Sequence, residues 1–360
     1  MSQRAPLPAD FSALKTLQAW PPSAVDAALQ QWWRGLSSPP ACIAVAFSGG
    51  ADSMALLLAV VRLCQSLADS KTDDTQAPQR ILALHVHHGL QASADAFAAH
   101  CEASCAALQE AIGSAWTLEY KALPVQIELA KGDSVEAEAR EVRYRALAQA
   151  AQAAGAEVVL LGQHADDQVE SVLLALSRGA GVAGLAGMPA AFHRHGMAFA
   201  RPLLPLEQHV LKDWLQTNRV PWVEDPTNTE QRYTRNRLRH AVLPVLEQHL
   251  PGFRTSMARS ARLAAQADAL LQELAAIDLE QTGNPPHIAR LQQLSAERQA
   301  NVLRHWLKAT HGVIGSESQI LALLQVLAAC TTRGHRIHIK VGNGYVEREG
   351  DDLGWKLLQY

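Results

Sequence analysis

Short apolar runs alternate with segments of helical periodicity over residues 41–217. The apolar runs predict four buried strands, at residues 41–47, 81–86, 116–120 and 157–161. The intervening segments predict helices at residues 53–67, 92–112, 133–154, 169–176 and 206–217. Because the strand runs are apolar on both faces, we expect a mainly parallel sheet covered by helices on both sides. Ligands bind such sheets at the carboxyl ends of the strands.

The regions on either side of this alternation have a different pattern. Residues 1–40 read as an N-terminal extension with one amphipathic helix at 23–36, and residues 218–250 as a polar linker. Residues 251–330 are almost entirely helical in pattern, and residues 331–360 resemble a few short strands. We therefore predict an α/β domain at 41–217, a helical domain at 251–330 and a small β appendage.

Composition narrows the class of protein. The chain has 360 residues, a formal net charge of −3 and no overall basic character, so any RNA site must be local. Its five cysteines are odd in number and form no CxxC pair, which argues against a disulfide framework or a zinc site. We see no signal peptide and no apolar run near the about 20 residues that cross a bilayer. A soluble, cytoplasmic protein is predicted.

The sharpest motif lies between the first strand and the next helix. It reads Ser48-Gly49-Gly50-Ala51-Asp52-Ser53. Two glycines allow positive φ and close approach of a ligand, and successive amides with the helix N-terminus form an anion site. The Asp52 carboxylate indicates a bound Mg²⁺. The alternative is a tight turn with Asp52 or Ser53 as helix N-cap; the spacing and the missing lysine exclude a Walker A loop.

This motif resembles the PP-loop of the ATP-pyrophosphatases. The resemblance implies an adenine nucleotide alpha-hydrolase-like fold, in which Ser48 to Ser53 grip the pyrophosphate part of ATP. It also implies that the enzyme adenylates an oxygen of its substrate. The family contains ligases, amidotransferases and tRNA thiolases, so the loop alone does not identify the substrate.

Two further motifs narrow the family. The second strand ends in His85-Val86-His87-His88-Gly89-Leu90, and the helix predicted at residues 133–154 carries Arg140 and Arg143 with Tyr144. Taken alone, these are a polar strand end and a solvated Glu–Arg face that includes Glu136. They are nevertheless similar to the HxxHGL and ARxxRY motifs of lysidine synthetases. The resemblance implies nucleotide contacts by His87 and His88, and by Arg140 with ATP and RNA.

An acidic motif follows the fourth strand. Gln163-His164-Ala165-Asp166-Asp167 leads to Glu170, and Asp166 and Glu170 are spaced to share a helix face. Carboxylates at a helix N-terminus can simply complement its dipole. The stretch resembles the HHxDDxxET motif of lysidine synthetases, which implies that the acidic residues hold a lysine substrate and that His164 contacts nucleotide. Gln163 and Ser171 depart from that motif.

The most basic run, residues 232–240, contains four arginines and Tyr233. Such a run is often a solvated helix face, but it also suits phosphate contact and base stacking. Residues 225–244 resemble the family's DxxN…YxRNxxR…LP pattern, which implies that Arg235, Asn236 and Arg237 contact the active site or tRNA. The arginines that follow at the start of the helical region are expected to contact tRNA as well: Arg254, Arg259 and Arg262.

Together the resemblances imply a ligase that joins free L-lysine to the wobble cytidine of the CAU-anticodon tRNA(Ile), using ATP and Mg²⁺. The implied catalytic residues are Asp52, Asp166, Asp167, Glu170, Arg140 and Arg237, with Asp52 as the metal ligand. Two alternatives stay open: a PP-loop tRNA thiolase, and a nucleotide-sensing α/β protein without catalysis. The sequence leaves the oligomeric state open, with a homodimer as one option.

Overall fold

The computed structural model describes residues 10–69, 77–87, 94–113, 116–126, 135–225, 234–332 and 334–358. The chain divides into two compact units. The first comprises residues 1–180 and 184–261, and the second comprises residues 181–183 and 262–360. The finer division predicted above, with boundaries near 40, 217, 250 and 330, stays a prediction.

A six-stranded sheet forms the centre of the first unit. Its strands are β1 (Cys42–Ala46), β2 (Arg80–His87), β3 (Thr117–Pro124), β4 (Val158–Leu160), β5 (Ala191–Arg194) and β6 (Met197–Ala200). Their order is β3-β2-β1-β4-β6-β5, and all neighbours are parallel except β5 and β6. The four predicted strands and the mainly parallel sheet are confirmed. The β5–β6 hairpin is absent from the sequence prediction.

Helices cover both faces of this sheet. The helices up to residue 282 are, in chain order, a 3-10 helix (Ser12–Ala19), α1 (Ala24–Arg34), α2 (Ala51–Asp69), α3 (Ala94–Ile112), α4 (Val135–Ala153), α5 (Ala165–Ser177), α6 (Val182–Leu185), α7 (Gln208–Thr217), α8 (Thr234–Arg237), a π-helical turn (Leu238–Val242), α9 (Leu243–His249) and α10 (Phe253–Thr282). One core cluster joins the 3-10 helix, α1, α2, α3 and α7 to the sheet, and a second joins α4 to it. The predicted N-terminal segment therefore contributes Leu14, Leu17 and Val25 to the first core.

Most residues of helix α2 are buried. It is long and apolar enough by length and composition to cross a membrane, which corrects the expectation that no apolar run reaches that length. However, 72% of its apolar window is buried inside the protein, as in the core helix of a globular fold. Its buried residues include Met54, Leu57 and Val61, which line the first core. Its first residues belong to the predicted phosphate loop, which we define as residues 48–53.

The second unit combines the remaining helices with a small antiparallel sheet. After α10 these elements are α11 (Ile288–Leu291), α12 (Ala296–His311), α13 (Glu317–Ala329), β7 (His338–Val341), β8 (Gly344–Glu349) and β9 (Asp352–Leu357). Trp306, Leu323 and Val346 belong to one core cluster, so the helices and the sheet pack together. The predicted short C-terminal strands are confirmed, and they share a core with the helices before them.

Candidate active site

The phosphate loop is braced by its own serines. The Ser53 hydroxyl accepts the backbone N–H of Ser48 at 3.1 Å, lies 3.1 Å from the Ser48 hydroxyl, and donates to the Gly50 carbonyl at 3.0 Å. Gly49 has φ of 79°, a conformation that disfavours other residues. Helix α2 begins at Ala51, so its N-terminal amides and dipole lie at the loop. The predicted strand–loop–helix arrangement for anion binding is present.

Two close approaches fix the loop against its surroundings. A Cβ at Gly49 would lie 2.9 Å from Cys101 Sγ and 3.0 Å from Val223 Cγ2. A Cβ at Gly162, just after β4, would lie 2.9 Å from the Asp52 carbonyl oxygen. Because β4 pairs directly with β1, the segment that follows β4 meets the start of α2. At position 162, only glycine lets the chain after β4 lie this close to the Asp52 carbonyl without a shift of the backbone.

Asp52 lies where the loop meets the segment after β4. Both of its carboxylate oxygens accept the Gln208 side-chain amide at 3.3 Å, and Oδ2 is 3.5 Å from His164 Nε2. Burial alone raises the pKa of Asp52, but hydrogen bonds and charge from His164, together with Gln208, outweigh it and lower the pKa. Asp52 is therefore an ionised carboxylate beside an anion-binding loop.

The surroundings of Asp52 offer one protein ligand for Mg²⁺. Within the described part of the chain, no three His, Cys, Asp or Glu side chains are grouped to hold a metal ion. Mg²⁺ in nucleotide sites is commonly held by one or two carboxylates plus the phosphates of the substrate. The ionised Asp52 carboxylate at the phosphate loop fits that pattern, with the remaining ligands coming from nucleotide and water.

His164 is buried next to three carboxylates. Its side chain is 1% exposed, and its ring nitrogens are 3.5 Å from Asp52, 3.5 Å from Asp167 and 3.6 Å from Asp166. Burial lowers the pKa of His164, but the carboxylates of Asp52, Asp167 and Asp166 raise it further than burial lowers it. The imidazole thus connects the phosphate loop to the acidic motif. Its predicted contact with nucleotide stays a prediction.

The acidic motif is held by cations that are distant in sequence. Arg239 donates from Nε to Glu170 Oε1 at 2.7 Å and from Nη2 to Asp167 Oδ1 at 3.2 Å. Asp166 accepts from Arg254 Nε at 2.7 Å and from the Gln208 backbone N–H at 2.8 Å. The helical spacing predicted that Asp166 and Glu170 share a face. The structure instead pairs Asp167 with Glu170 through Arg239.

Glu170 is the most buried of these carboxylates. Its side chain is 0% exposed, and burial raises its pKa although Arg239 and Arg235 act in the opposite direction. Its second oxygen, Oε2, has no hydrogen-bond partner among the described residues. A buried carboxylate oxygen without a partner is costly, so this atom is suited to receive a donor from a ligand.

A second group of arginines surrounds Tyr144 on α4. Its hydroxyl accepts from Arg140 Nη2 at 3.2 Å and from Arg201 Nη2 at 3.3 Å. Arg201, which is only 4% exposed, also donates to the Gln163 side-chain oxygen. Gln163, one of the two departures from the family motif, therefore supports a buried arginine. The structure places Arg140 beside Tyr144, while its role toward ATP and RNA stays a prediction.

The histidines at the carboxyl end of β2 have separate positions. His85 is buried and hydrogen-bonds the Phe47 carbonyl at 2.9 Å, which ties the end of β2 to the end of β1. His87 is half-buried and lies 3.2 Å from Asp95. His88 lies outside the described residues. Nucleotide contact by His87 and His88 stays a prediction.

Sequence reasoning missed three partners of the acidic motif: Gln208, Arg239 and Arg254. Arg237, which it selected, is exposed and donates to Thr234 Oγ1 at 3.1 Å, while Arg239 on the π-helical turn reaches the carboxylates. The last arginine of the RNxxR pattern is Arg239, so that spacing carried a signal. Arg254, which we expected at the tRNA, is bound to Asp166 and Glu247.

Comparison with known sequences identifies the family. A PP-loop domain profile matches residues 23–246, and a TilS substrate binding domain profile matches residues 287–353. The chain is 51% identical over 317 residues to the tRNA(Ile)-lysidine synthase of Polaromonas naphthalenivorans, covering 88% of this chain and 90% of that protein. The chain belongs to the tRNA(Ile)-lysidine synthase family.

Other members of the family match this chain as well, and one solved structure has a similar fold. The tRNA(Ile)-lysidine synthase of Burkholderia pseudomallei is 40% identical over 325 residues, but this chain spans only 60% of its length. Among solved structures, the U34-tRNA thiolase NcsA of Methanococcus maripaludis matches with a TM-score of 0.51 and 17% identity, over 67% of this chain and 78% of that one. That likeness shows a shared fold.

Proposed function

We propose that this protein ligates lysine onto C2 of the wobble cytidine (position 34) of the CAU-anticodon tRNA(Ile) to form lysidine. The reaction uses ATP and releases AMP and pyrophosphate. The observation that carries the proposal is the direct link between two sites: Asp52 of the phosphate loop and Asp167 of the acidic motif share His164, at 3.5 Å each. Membership of the tRNA(Ile)-lysidine synthase family supports the choice of RNA.

The chemistry divides into two displacements. In the first, O2 of the cytidine attacks the α-phosphate of ATP, and the P–O bond to pyrophosphate breaks. In the second, the side-chain amine of lysine attacks C2, loses a proton, and the C–O bond to AMP breaks. Anion binding by residues 48–53 stabilises the departing pyrophosphate. The acidic motif of Asp166, Asp167 and Glu170 attracts the cationic lysine next to that electrophile.

Asp52 would hold Mg²⁺ together with the ATP phosphates, and the ion would offset the charge that develops on them. Arg140 and Arg237 are proposed to contribute positive charge for the nucleotide or the RNA backbone. The helical second unit, which contains the TilS-type substrate binding domain, is proposed to contact tRNA. The five thiols are free, which agrees with a reducing compartment, so we place the protein in the cytoplasm.

The thiolase alternative is disfavoured by the state of the cysteines. All five are buried and free, and burial raises the pKa of Cys101 to about 12. A thiol with such a pKa is a poor nucleophile near neutral pH. The chain also contains no CxxC pair for an iron–sulfur cluster. Lysine, not sulfur, is the nucleophile that fits the acidic motif.

The test is incorporation of labelled lysine into unmodified tRNA(Ile) with a CAU anticodon, with and without ATP. We expect ATP-dependent incorporation that disappears when the wobble cytidine is replaced by uridine. ATP cleavage to AMP and pyrophosphate without lysine incorporation would refute the nucleophile and retain the PP-loop chemistry. No tRNA-dependent ATP cleavage at all would favour a nucleotide-sensing protein.

A further inference from the structure

The carboxylates proposed to attract lysine are already occupied by donors of the protein itself. Both oxygens of Asp166 accept hydrogen bonds, from Arg254 and from the Gln208 backbone. Both oxygens of Asp167 do so as well, from Arg239 and from the His164 backbone N–H at 3.2 Å. The one carboxylate oxygen of this motif without a partner among the described residues is Glu170 Oε2.

Arg239 occupies the position that a cationic substrate would need. Its guanidinium bridges Glu170 and Asp167, as two short-range charge pairs to one cation. A lysine ammonium drawn to this pair of carboxylates would meet a positive charge already there, and two like charges at such a site repel. Lysine and Arg239 therefore compete for the same acceptors.

The two arginines at the motif each pair with two carboxylates, but they differ in exposure and in the backbone element that carries them. Arg254 pairs with Asp166 and also with Glu247, and its side chain is 18% exposed. The side chain of Arg239 is 29% exposed, and it lies on the π-helical turn Leu238–Val242. Single-turn π segments inside helices are uncommon and occur often at functional sites. Arg239 is thus the arginine of this motif that a ligand can displace.

We propose that Arg239 is a resident counter-ion of the acidic motif, which holds Asp167 and Glu170 closed until lysine displaces it. The proposal rests on the proposed function, since it takes lysine as the ligand of these carboxylates. It adds a regulatory property: the apparent affinity for lysine is set by competition with the protein's own arginine. When only a fraction of the protein is in the binding-competent state, its apparent affinity for the ligand falls by that fraction.

The experiment is equilibrium dialysis of the full chain with labelled L-lysine, without RNA or ATP, comparing wild type with Arg239→Gln. We expect Arg239→Gln to bind lysine about tenfold more tightly, equivalent to about 1.4 kcal/mol. L-Norleucine, which lacks the side-chain amine, should show no such gain. Arg239→Lys, whose ammonium is a single point charge and cannot bridge both carboxylates, should bind lysine more tightly than wild type but less tightly than Arg239→Gln.

The matched control is Arg298→Gln in the second unit. Arg298 also pairs with a fully buried carboxylate, that of Asp278, so it reproduces the loss of such a pair outside the compact unit that contains the motif. It should leave lysine binding unchanged. Thermal unfolding establishes that each variant is folded; if Arg239→Gln does not fold, Arg239→Lys decides the question by the same comparison.

Folded Arg239 variants that bind lysine no more tightly than wild type would overturn the proposal and make Arg239 a positioning residue for Glu170. Failure of the proposed function is recognised separately, because it would appear as wild-type protein that forms no lysidine on tRNA(Ile). Wild type that forms lysidine while Arg239→Gln gains no affinity would refute only the competition.

Discussion

Gly162→Ala is the sharpest test of how the sheet positions the phosphate loop. A Cβ at Gly162 would lie 2.9 Å from the carbonyl oxygen of Asp52, 3.0 Å from its carbonyl carbon and 3.1 Å from the Ser53 nitrogen. Ordinary contacts begin at 3.4 Å, so these backbone atoms must separate by roughly 0.5 Å (3.4 − 2.9). The obstructing atoms are backbone, and they cannot rotate away as the end of a side chain could.

The expected cost follows from that shift. Overpacking of this kind costs about 1–3 kcal/mol, and we expect Tm to fall by several degrees. The displacement moves Asp52 and Ser53, so the KM for ATP in tRNA-dependent ATP–pyrophosphate exchange should rise by about tenfold, since small misplacements of positioning groups are costly. Thermal unfolding and exchange kinetics measure the two effects.

Gly181→Ala is the matched control, because a Cβ there meets nothing within 4 Å and the backbone is not in the positive-φ region. It should change neither Tm nor the KM for ATP appreciably. If Gly162→Ala behaved like Gly181→Ala in both measurements, the argument that β4 and the loop are in forced contact would be refuted.

Two further predictions concern titratable groups near the loop. Asp52→Asn should reduce tRNA-dependent ATP–pyrophosphate exchange by about 100-fold, because it removes the negative charge that would bind the metal. It should lower Tm little, because the Asp52 side chain is partly exposed. Exchange at the wild-type rate would contradict this prediction. Burial lowers the pKa of His85 from its ordinary 6.5, so the unfolded chain binds more protons and the free energy of unfolding should fall as pH drops below about 6.5. Urea unfolding at pH 7.5 and 5.5 should show a smaller fall in His85→Gln, and an equal fall would count against the assignment.

The predictable parts of this fold are those with a local signal. The five-residue β1 and most of β2 are apolar runs, and the loop after β1 is a compact motif. The β5–β6 hairpin was not predicted because its strands have only four residues each, and the edge strand β5 has no buried residue. The pair His195-Gly196 at its turn is a signal in the sequence, because glycine readily adopts positive φ. In the structure the two residues have φ of 50° and 72°, as in a type I′ hairpin.

The partners of the acidic motif escaped for another reason. Arg239 and Arg254 contact carboxylates that lie 69 to 88 positions away in the chain. Helical periodicity orders residues on one helix face, but it contains no information about which distant side chain meets that face. The spacing that places Asp166 and Glu170 on one helix face therefore could not show that Arg239 would pair with Asp167 and Glu170.

The sequence by itself determined the α/β class, the phosphate loop and the family motifs, because each is encoded by residues within a few positions of one another. Only the tertiary structure decided that β4 lies beside β1, which brings Gly162 and His164 against Asp52. It also decided that Arg239, rather than Arg237, neutralises the acidic motif. Strand order and the pairing of buried charges depend on long-range packing, and packing is settled only when the whole core forms.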